Sequence, residues 1–294
     1  MKWIISNLHA SITIRDYLRE IHEFSRRTLI AVKQEGGILV NGQPQTVRYI
    51  LKVGDLLEIC FPKESTGPFL KPEEMNLSIV YEDDAVLVVD KPAGMATIPS
   101  VHHPSGTVAN GILSYYLKNK LPFTVHVVTR LDRDTSGLLL IAKHRYSHSI
   151  LSNAQQTGKV ERGYKAIVEG NMSVEKGVID APIDRKDGSI IERMVKKTGK
   201  RAVTHFHTEK ILSTTHSLLN VQLETGRTHQ IRVHFSYKNH PLAGDDLYGG
   251  NTDLIDRHAL HCFQLSFEHP FTKERILLES SLPEDMNRLL NQMN

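Results

Sequence analysis

The segment His126-Val127-Val128-Thr129-Arg130-Leu131-Asp132-Arg133-Asp134-Thr135-Ser136-Gly137 runs directly into the apolar stretch Leu138 to Ala142. Thr, Ser and Gly in a row predict a loop, because the two hydroxyls can bond neighbouring backbone and glycine reaches dihedrals closed to other residues. A loop braced in this way holds the Asp132 carboxylate two residues beyond the Arg130 guanidinium. A carboxyl group with an ordinary pKa of about 3.9 rises by ~3 to 5 units when buried alone and falls by ~1 to 3 when an arginine lies within ~4 to 6 Å. Arg130, or an arginine from elsewhere in the chain, therefore keeps a buried Asp132 ionised and usable as a nucleophile or base. For an arbitrary Arg-x-Asp the competing reading is a structural ion pair at a strand edge.

Arg130 to Gly137 resembles, without a gap, the R-L-D-x-x-T-S-G signature of RluA/RluD-type RNA pseudouridine synthases, in which the Asp after Leu is catalytic. Thr129 stands where that family more often carries His. Further along, Glu224-Thr225-Gly226-Arg227-Thr228-His229-Gln230-Ile231-Arg232-Val233-His234 is similar to a second signature of the family. A strand is expected to end at Gly226 and Thr228 to cap a helix. The resemblance implies that Arg227 pairs with Asp132, while Arg232, one helical turn on, touches RNA. Tyr164, in Arg162-Gly163-Tyr164-Lys165-Ala166, reads by itself as a core aromatic on a strand over 160–169. The resemblance places it against the base, with Arg162 where Lys is usual. Asp245-Asp246-Leu247-Tyr248-Gly249 and His258-Ala259-Leu260-His261 fit the family pattern more loosely.

Upstream, Ile14, Tyr17, Leu18 and Ile21 make the apolar stripe of a helix over 12–24. Ser25 then suits the N-cap of a second helix that stops at Gly36. Asn41-Gly42 signals a hairpin, and a strand is expected at 56–61. This unit, residues 1–62, resembles an S4-like RNA-binding domain, which implies that Arg15, Arg26, Arg27 and Lys33 contact phosphates. Taken by charge alone, the same residues describe a solvated helix face. Residues 63–76 lose periodicity and gather Pro, Gly and charge, as in a linker. Strands at 77–81 and 86–90 and helices at 108–117 and 144–155 open a catalytic domain over 77–294. The expected fold is α+β: a mainly antiparallel central sheet flanked by helices, with the small S4-like α+β domain in front.

With 40% hydrophobic and 23% charged residues and a net charge of +3, the 294-residue chain has the composition of an ordinary globular protein, compatible with RNA as partner but not requiring it. No apolar run approaches ~18 residues. Met1 to Ser6 is too short for a signal peptide, so a cytoplasmic protein without a membrane partner is expected. Cys60 and Cys262 are expected to be buried free thiols. Sixteen histidines invite a metal, but His205 and His207, alternating on one strand face, and His258 and His261 lack further ligands at suitable spacing. No metal and no cofactor are expected.

The resemblance implies an enzyme that isomerises uridine in RNA, ribosomal RNA first and transfer RNA second, acting as a monomer with Asp132, Arg227 and Tyr164 as catalytic residues and Arg130 fixing the loop and binding substrate. Two rivals stand beside it. A hydrolytic nucleosidase would need a second carboxylate, and Asp134 is the near candidate. A catalytically silent RNA-binding protein would have little reason to keep Asp132, Tyr164 and Arg227 together.

Overall fold

The computed structural model describes residues 1–293 except 63, 65, 66, 68, 69, 102, 213 and 214, so the expected linker falls partly outside the described residues. The first sixty residues build an antiparallel sheet from β1 (Lys2–Ile4), β2 (Gly37–Val40), β3 (Gln43–Pro44) and β4 (Leu56–Cys60), in the order β1-β4-β2-β3. Two helical segments cover it. In the first, α1 (Ile14–Asp16) is capped by Thr13 and widens over Tyr17–Ile21 into a looser winding, so the expected helix begins late and ends early. In the second, α2 (Arg26–Glu35), the Ser25 hydroxyl accepts the Thr28 N–H at 3.0 Å. Gly36 ends α2 for a tertiary reason: its φ is negative, and a Cβ there would lie 2.2 Å from the Cys60 carbonyl oxygen. Asn41 and Gly42, with φ of 52° and 77°, form the β2–β3 turn. Cys60 is exposed, against expectation, because it ends β4 on the outward-facing side of the alternation; Cys262 is buried.

The larger sheet contains β5 (Ser78–Glu82), β6 (Val86–Lys91), β7 (His126–Val127), β8 (Ser136–Ala142), β9 (Glu161–Glu169), β10 (Lys176–Asp180), β13 (Val203–Leu212), β14 (His216–Leu223), β15 (Leu260–Glu268) and β16 (Arg275–Glu279). Its path is β10-β13-β14-β9-β15-β8-β6-β5, with β16 beside β15 and β7 beside β8; β11 (Ile183–Arg185) and β12 (Arg193–Val195) form a separate ribbon. The helices are α3 (Val108–Lys118), α4 (Arg145–Gln156), α5 (Gln230–Tyr237) and α6 (Glu284–Met293). This is the expected α+β fold. Every residue of β8 is buried, which is why its sequence is continuously apolar rather than alternating. Burying each such leucine or isoleucine contributes about 1.5–3 kcal/mol.

Among the described residues, all ladder pairs of the large sheet are antiparallel except one. β8 and β15 run parallel for two residue pairs, Ser136 with His261 and Gly137 with Cys262. This short seam joins the two halves of the sheet in its middle. Gly137 permits it: its φ is +113°, and a Cβ would lie 2.2 Å from the Cys262 carbonyl oxygen. The Asp132 loop enters β8 at that point.

The N-terminal unit has its own core, in which Leu18, Val32, Leu57 and Ile59 are buried. Tyr146 and Ile150 of α4 also enter this core, and the Tyr146 hydroxyl donates to the His22 carbonyl at 2.6 Å.

Candidate active site

The Asp132 loop is fastened from several sides. Thr97 Oγ1 donates to the Leu131 carbonyl at 2.9 Å, and Thr135 Oγ1 meets His258 Nε2 at 2.8 Å. Ser136 Oγ meets His261 Nδ1 at 2.9 Å, and the Asp134 carbonyl accepts from Arg257, itself gripped by Asp285. Beneath it lies the buried Lys91, whose Nζ donates to the carbonyls of Pro92, Met95 and Arg133 at 2.8–3.0 Å. Burial pushes the Lys91 ammonium down to about 7, partly offset by the charges of Asp134 and Asp132. Burial also drives His258 down to about 2, so it is a neutral hydrogen-bonding partner for Thr135. Held from behind, the Asp132 carboxylate is 29% exposed and faces a cleft of about 650 Å³.

The arginine beside Asp132 is Arg232, which corrects the pairing expected from sequence. Arg232 Nη1 lies 3.6 Å from Asp132 Oδ2. Its Nε and Nη2 donate to the fully buried Asp245 carboxylate at 2.8 and 2.7 Å, and its guanidinium stacks over the Tyr248 ring at 4.9 Å. Arg227 lines the same cleft but is exposed, and its Nε donates to the Arg201 carbonyl at 3.0 Å. The cause is the turn between β14 and α5. Gln230 Oε1 accepts the Arg227 N–H and the Thr225 hydroxyl, while Gln230 Nε2 donates to the Val203 carbonyl. His229, not Thr228, is the N-cap, with a left-handed φ of 56°. That reversal turns Arg227 outward and brings Arg232, in the first turn of α5, inward. His229 Nδ1 meets the Tyr248 hydroxyl at 2.8 Å and its Nε2 lies 3.9 Å from Asp132; burial lowers its pKa, against the opposing pull of Asp132.

Tyr164, on β9, is buried at 3% exposure and forms part of the cleft wall. Burial pushes its phenol above the ordinary tyrosine range, so the ring keeps its proton at neutral pH. Arg130 lines the cleft from an exposed position and, among the described residues, donates no hydrogen bond, so it does not fix the loop as expected; Lys91, Thr97, Arg257, His258 and His261 do that. Asp134 is not part of the cleft wall, and its carboxylate is taken by the neighbouring Arg133 guanidinium at 3.0–3.2 Å. Arg15, Arg26, Arg27 and Lys33 are exposed on the N-terminal unit, outside the cleft. Sequence reading missed Lys91, Thr97, His229 and Asp245 as parts of this apparatus; of these, His229 lay inside the second signature and Asp245 in the Asp-Asp-Leu-Tyr-Gly pattern, while Lys91 and Thr97 carried no signal.

The arrangement can present an anionic oxygen, with a fixed counter-charge behind it, to one face of a small bound group while an aromatic ring supports another. Comparisons with known proteins identify the family. Residues 85–237 match the family described as RNA pseudouridylate synthase. A Bacillus subtilis (strain 168) protein called an uncharacterized RNA pseudouridine synthase, YjbO, is 50% identical over 284 residues, covering 96% of this chain and all of the relative. Ribosomal large subunit pseudouridine synthase D of Pseudomonas aeruginosa is 38% identical over 284 residues, 92% of this chain and 88% of the relative. The solved structure of human RNA pseudouridylate synthase domain containing 4 superposes with a TM-score of 0.61 at 20% identity, over 74% of this chain and 92% of that one, a likeness of fold. The chain belongs to the RluA/RluD-type RNA pseudouridine synthases and is an enzyme that isomerises uridine in RNA.

Proposed function

We propose that the substrate is ribosomal RNA and that Asp132 is the reacting carboxylate. The observation that carries this reading is the placement of Asp132 in the cleft with Arg232 behind it, the rest of that guanidinium being locked by Asp245. The reaction breaks the bond between uracil N1 and ribose C1′, turns the base, and joins C5 to C1′; the C5 proton leaves and N1 gains one, so nothing is added overall. Asp132 attacks the ribose or assists its elimination. Arg232 supplies the counter-charge, and Tyr164, keeping its proton, serves as a platform for the uracil and as a donor rather than as a phenolate base. A base inside a helical stack cannot reach Asp132, so the nucleotide is flipped into the cleft at a cost of a few kcal/mol that contacts elsewhere must offset. The cleft's volume of about 650 Å³ suits one nucleotide. For ribosomal RNA the support is the likeness, at 35–39% identity, to relatives named ribosomal large subunit pseudouridine synthase D. The N-terminal unit, S4-like in sequence, supplies backbone affinity through Arg15, Arg26, Arg27 and Lys33.

The test is a map of pseudouridines in total RNA from cells with and without the protein, repeated with purified wild-type and Asp132→Asn enzyme on isolated ribosomal and transfer RNA. Loss of specific ribosomal positions in the deletion, restored by wild type alone, is expected. Loss confined to transfer RNA would overturn the substrate, and restoration by Asp132→Asn would overturn the role of the carboxylate.

A further inference from the structure

A second cleft, of about 350 Å³, lies where α2 of the N-terminal unit meets α4 and β7, and is lined by Ser25, Arg27, Thr28, His126, Arg145 and His148 among others. Neither the Arg27 nor the Arg145 guanidinium donates a hydrogen bond to the protein among the described residues. The near carboxylate, Glu64, is already taken by His126 Nε2 and by the Arg145 backbone N–H, although its charge reaches the Arg145 side chain. Burial lowers the His148 pKa, so the free positive charge of the cleft comes from the two arginines.

This cleft is joined to the catalytic one by a single helix face. Arg145, His148 and Ser149 line the second cleft, while Ser152 and Gln155 line the first, and His148 Nε2 meets Ser152 Oγ at 3.1 Å. These positions follow at helical spacing along α4, and ten residues of helix span about 15 Å. At about 3.4 Å per stacked nucleotide this is about four steps of an RNA strand. β7 makes a parallel connection, with His126 in the second cleft and Val127 in the first.

We infer that the α2–α4 cleft binds a backbone phosphodiester of the substrate RNA at least about four nucleotides from the flipped uridine, with the intervening strand lying along the Arg145–Gln155 face of α4. Arg27 and Arg145 each form charge-assisted hydrogen bonds to the phosphate, with one arginine from either structural unit. The inference rests on the assignment of RNA as substrate and adds where the strand runs.

The experiment uses Arg27→Gln and Arg145→Gln, singly and together, with Arg145→Lys as the charge-conserving variant and Arg48→Gln as a charge-matched control on an exposed residue outside both clefts. KM and the salt dependence of binding are measured on a substrate fragment and on versions trimmed towards the target from each end; thermal unfolding confirms that each variant is folded. The double variant is expected to raise KM about tenfold, the scale of a lost charge-assisted contact, and to flatten the slope of log affinity against log salt by about 0.7 per single-strand phosphate released. Arg145→Lys should recover most of that loss. Trimming one end to within about three nucleotides of the target should give wild type the KM of the double variant and abolish the difference between them. Wild-type KM and salt slope in the double variant, an equal effect in Arg48→Gln, or a deficit that persists on the fully trimmed RNA would each overturn the assignment. A wild-type enzyme that forms no pseudouridine in any RNA would instead overturn the proposed substrate, which the activity controls reveal separately.

Discussion

Asp245 decides where the positive charge sits. It is fully buried and takes two of the Arg232 donors, leaving Nη1 for Asp132. Asp132→Asn and Asp132→Ala should abolish turnover while leaving unfolding and RNA affinity nearly unchanged, and single-turnover pseudouridine formation measures this. Asp134→Ala should be much milder, because Asp134 is turned away to Arg133. Arg232→Met should cut turnover by about 10² or more and also destabilise the fold by about 3–5 kcal/mol, since it strands a buried carboxylate. Arg227→Met should act within about tenfold and mainly on KM, as for a cleft-wall cation of peripheral contact. Kinetics of the two variants that came out the other way round would reverse the assignment. The sequence displayed both arginines in one motif, but which of them faces Asp132 depends on a left-handed histidine, a backbone state that no local rule assigns to His229. Asp132 itself was legible because its signature, Arg130 to Gly137, is consecutive in the chain.

Among the elements, those with local causes could be read directly. The Ser25 cap, the Asn41-Gly42 turn and the apolar run of β8 each carry their physical reason within a few residues. Where the cause lay across the molecule, the position was visible and the reason was not. Gly36 reads as a helix stop needing a left-handed residue, yet its role is to let Cys60 approach, and Gly137 reads as a loop glycine, yet it allows β8 to touch β15. Gly137→Ala should therefore cost about 3 kcal/mol or more, because a disallowed φ and a clash with backbone act together. It should also lower activity by shifting the Asp132 loop. Denaturant unfolding and turnover measured together check this; a neutral Gly137→Ala would mean that the seam can open without consequence.

For the molecule as a whole, the two units are less separable than a domain-plus-linker reading suggests. Tyr146 and Ile150 of α4 are buried in the N-terminal core, so deleting residues 1–62 exposes apolar surface and should lower the unfolding temperature as well as RNA affinity. Acid stability follows from the histidines. Burial holds His144 at about 4 and His258 at about 2, against 6.5 when unfolded. As pH falls below 6.5 the unfolded chain takes up protons that the folded chain refuses, so stability is lost from 6.5 downward until each folded pKa is reached. At about 1.4 kcal/mol per pH unit and histidine, these two cost about 3 kcal/mol by pH 5.5, and His22, held at about 4, adds to the loss. The carboxylates held below their ordinary range, such as Asp83 and Asp285, follow at lower pH. The unfolding temperature should fall measurably between pH 7 and 5.5, and a flat profile there would contradict the buried neutral state of these rings.

The two-residue seam between β8 and β15 also sets a timetable. Ser136 meets His261 across 125 positions of chain, a contact that no nascent chain can make until its distant partner has left the ribosome. At about 5–20 residues per second this is a delay of about 6–25 s, during which the N-terminal unit can already be folded. Catalytic competence therefore arrives last in the life of the polypeptide, after the surface proposed to recognise RNA. Chains arrested before β15 could hold RNA but not modify it, and a stalled-ribosome series assayed for both properties would show binding appearing well before turnover.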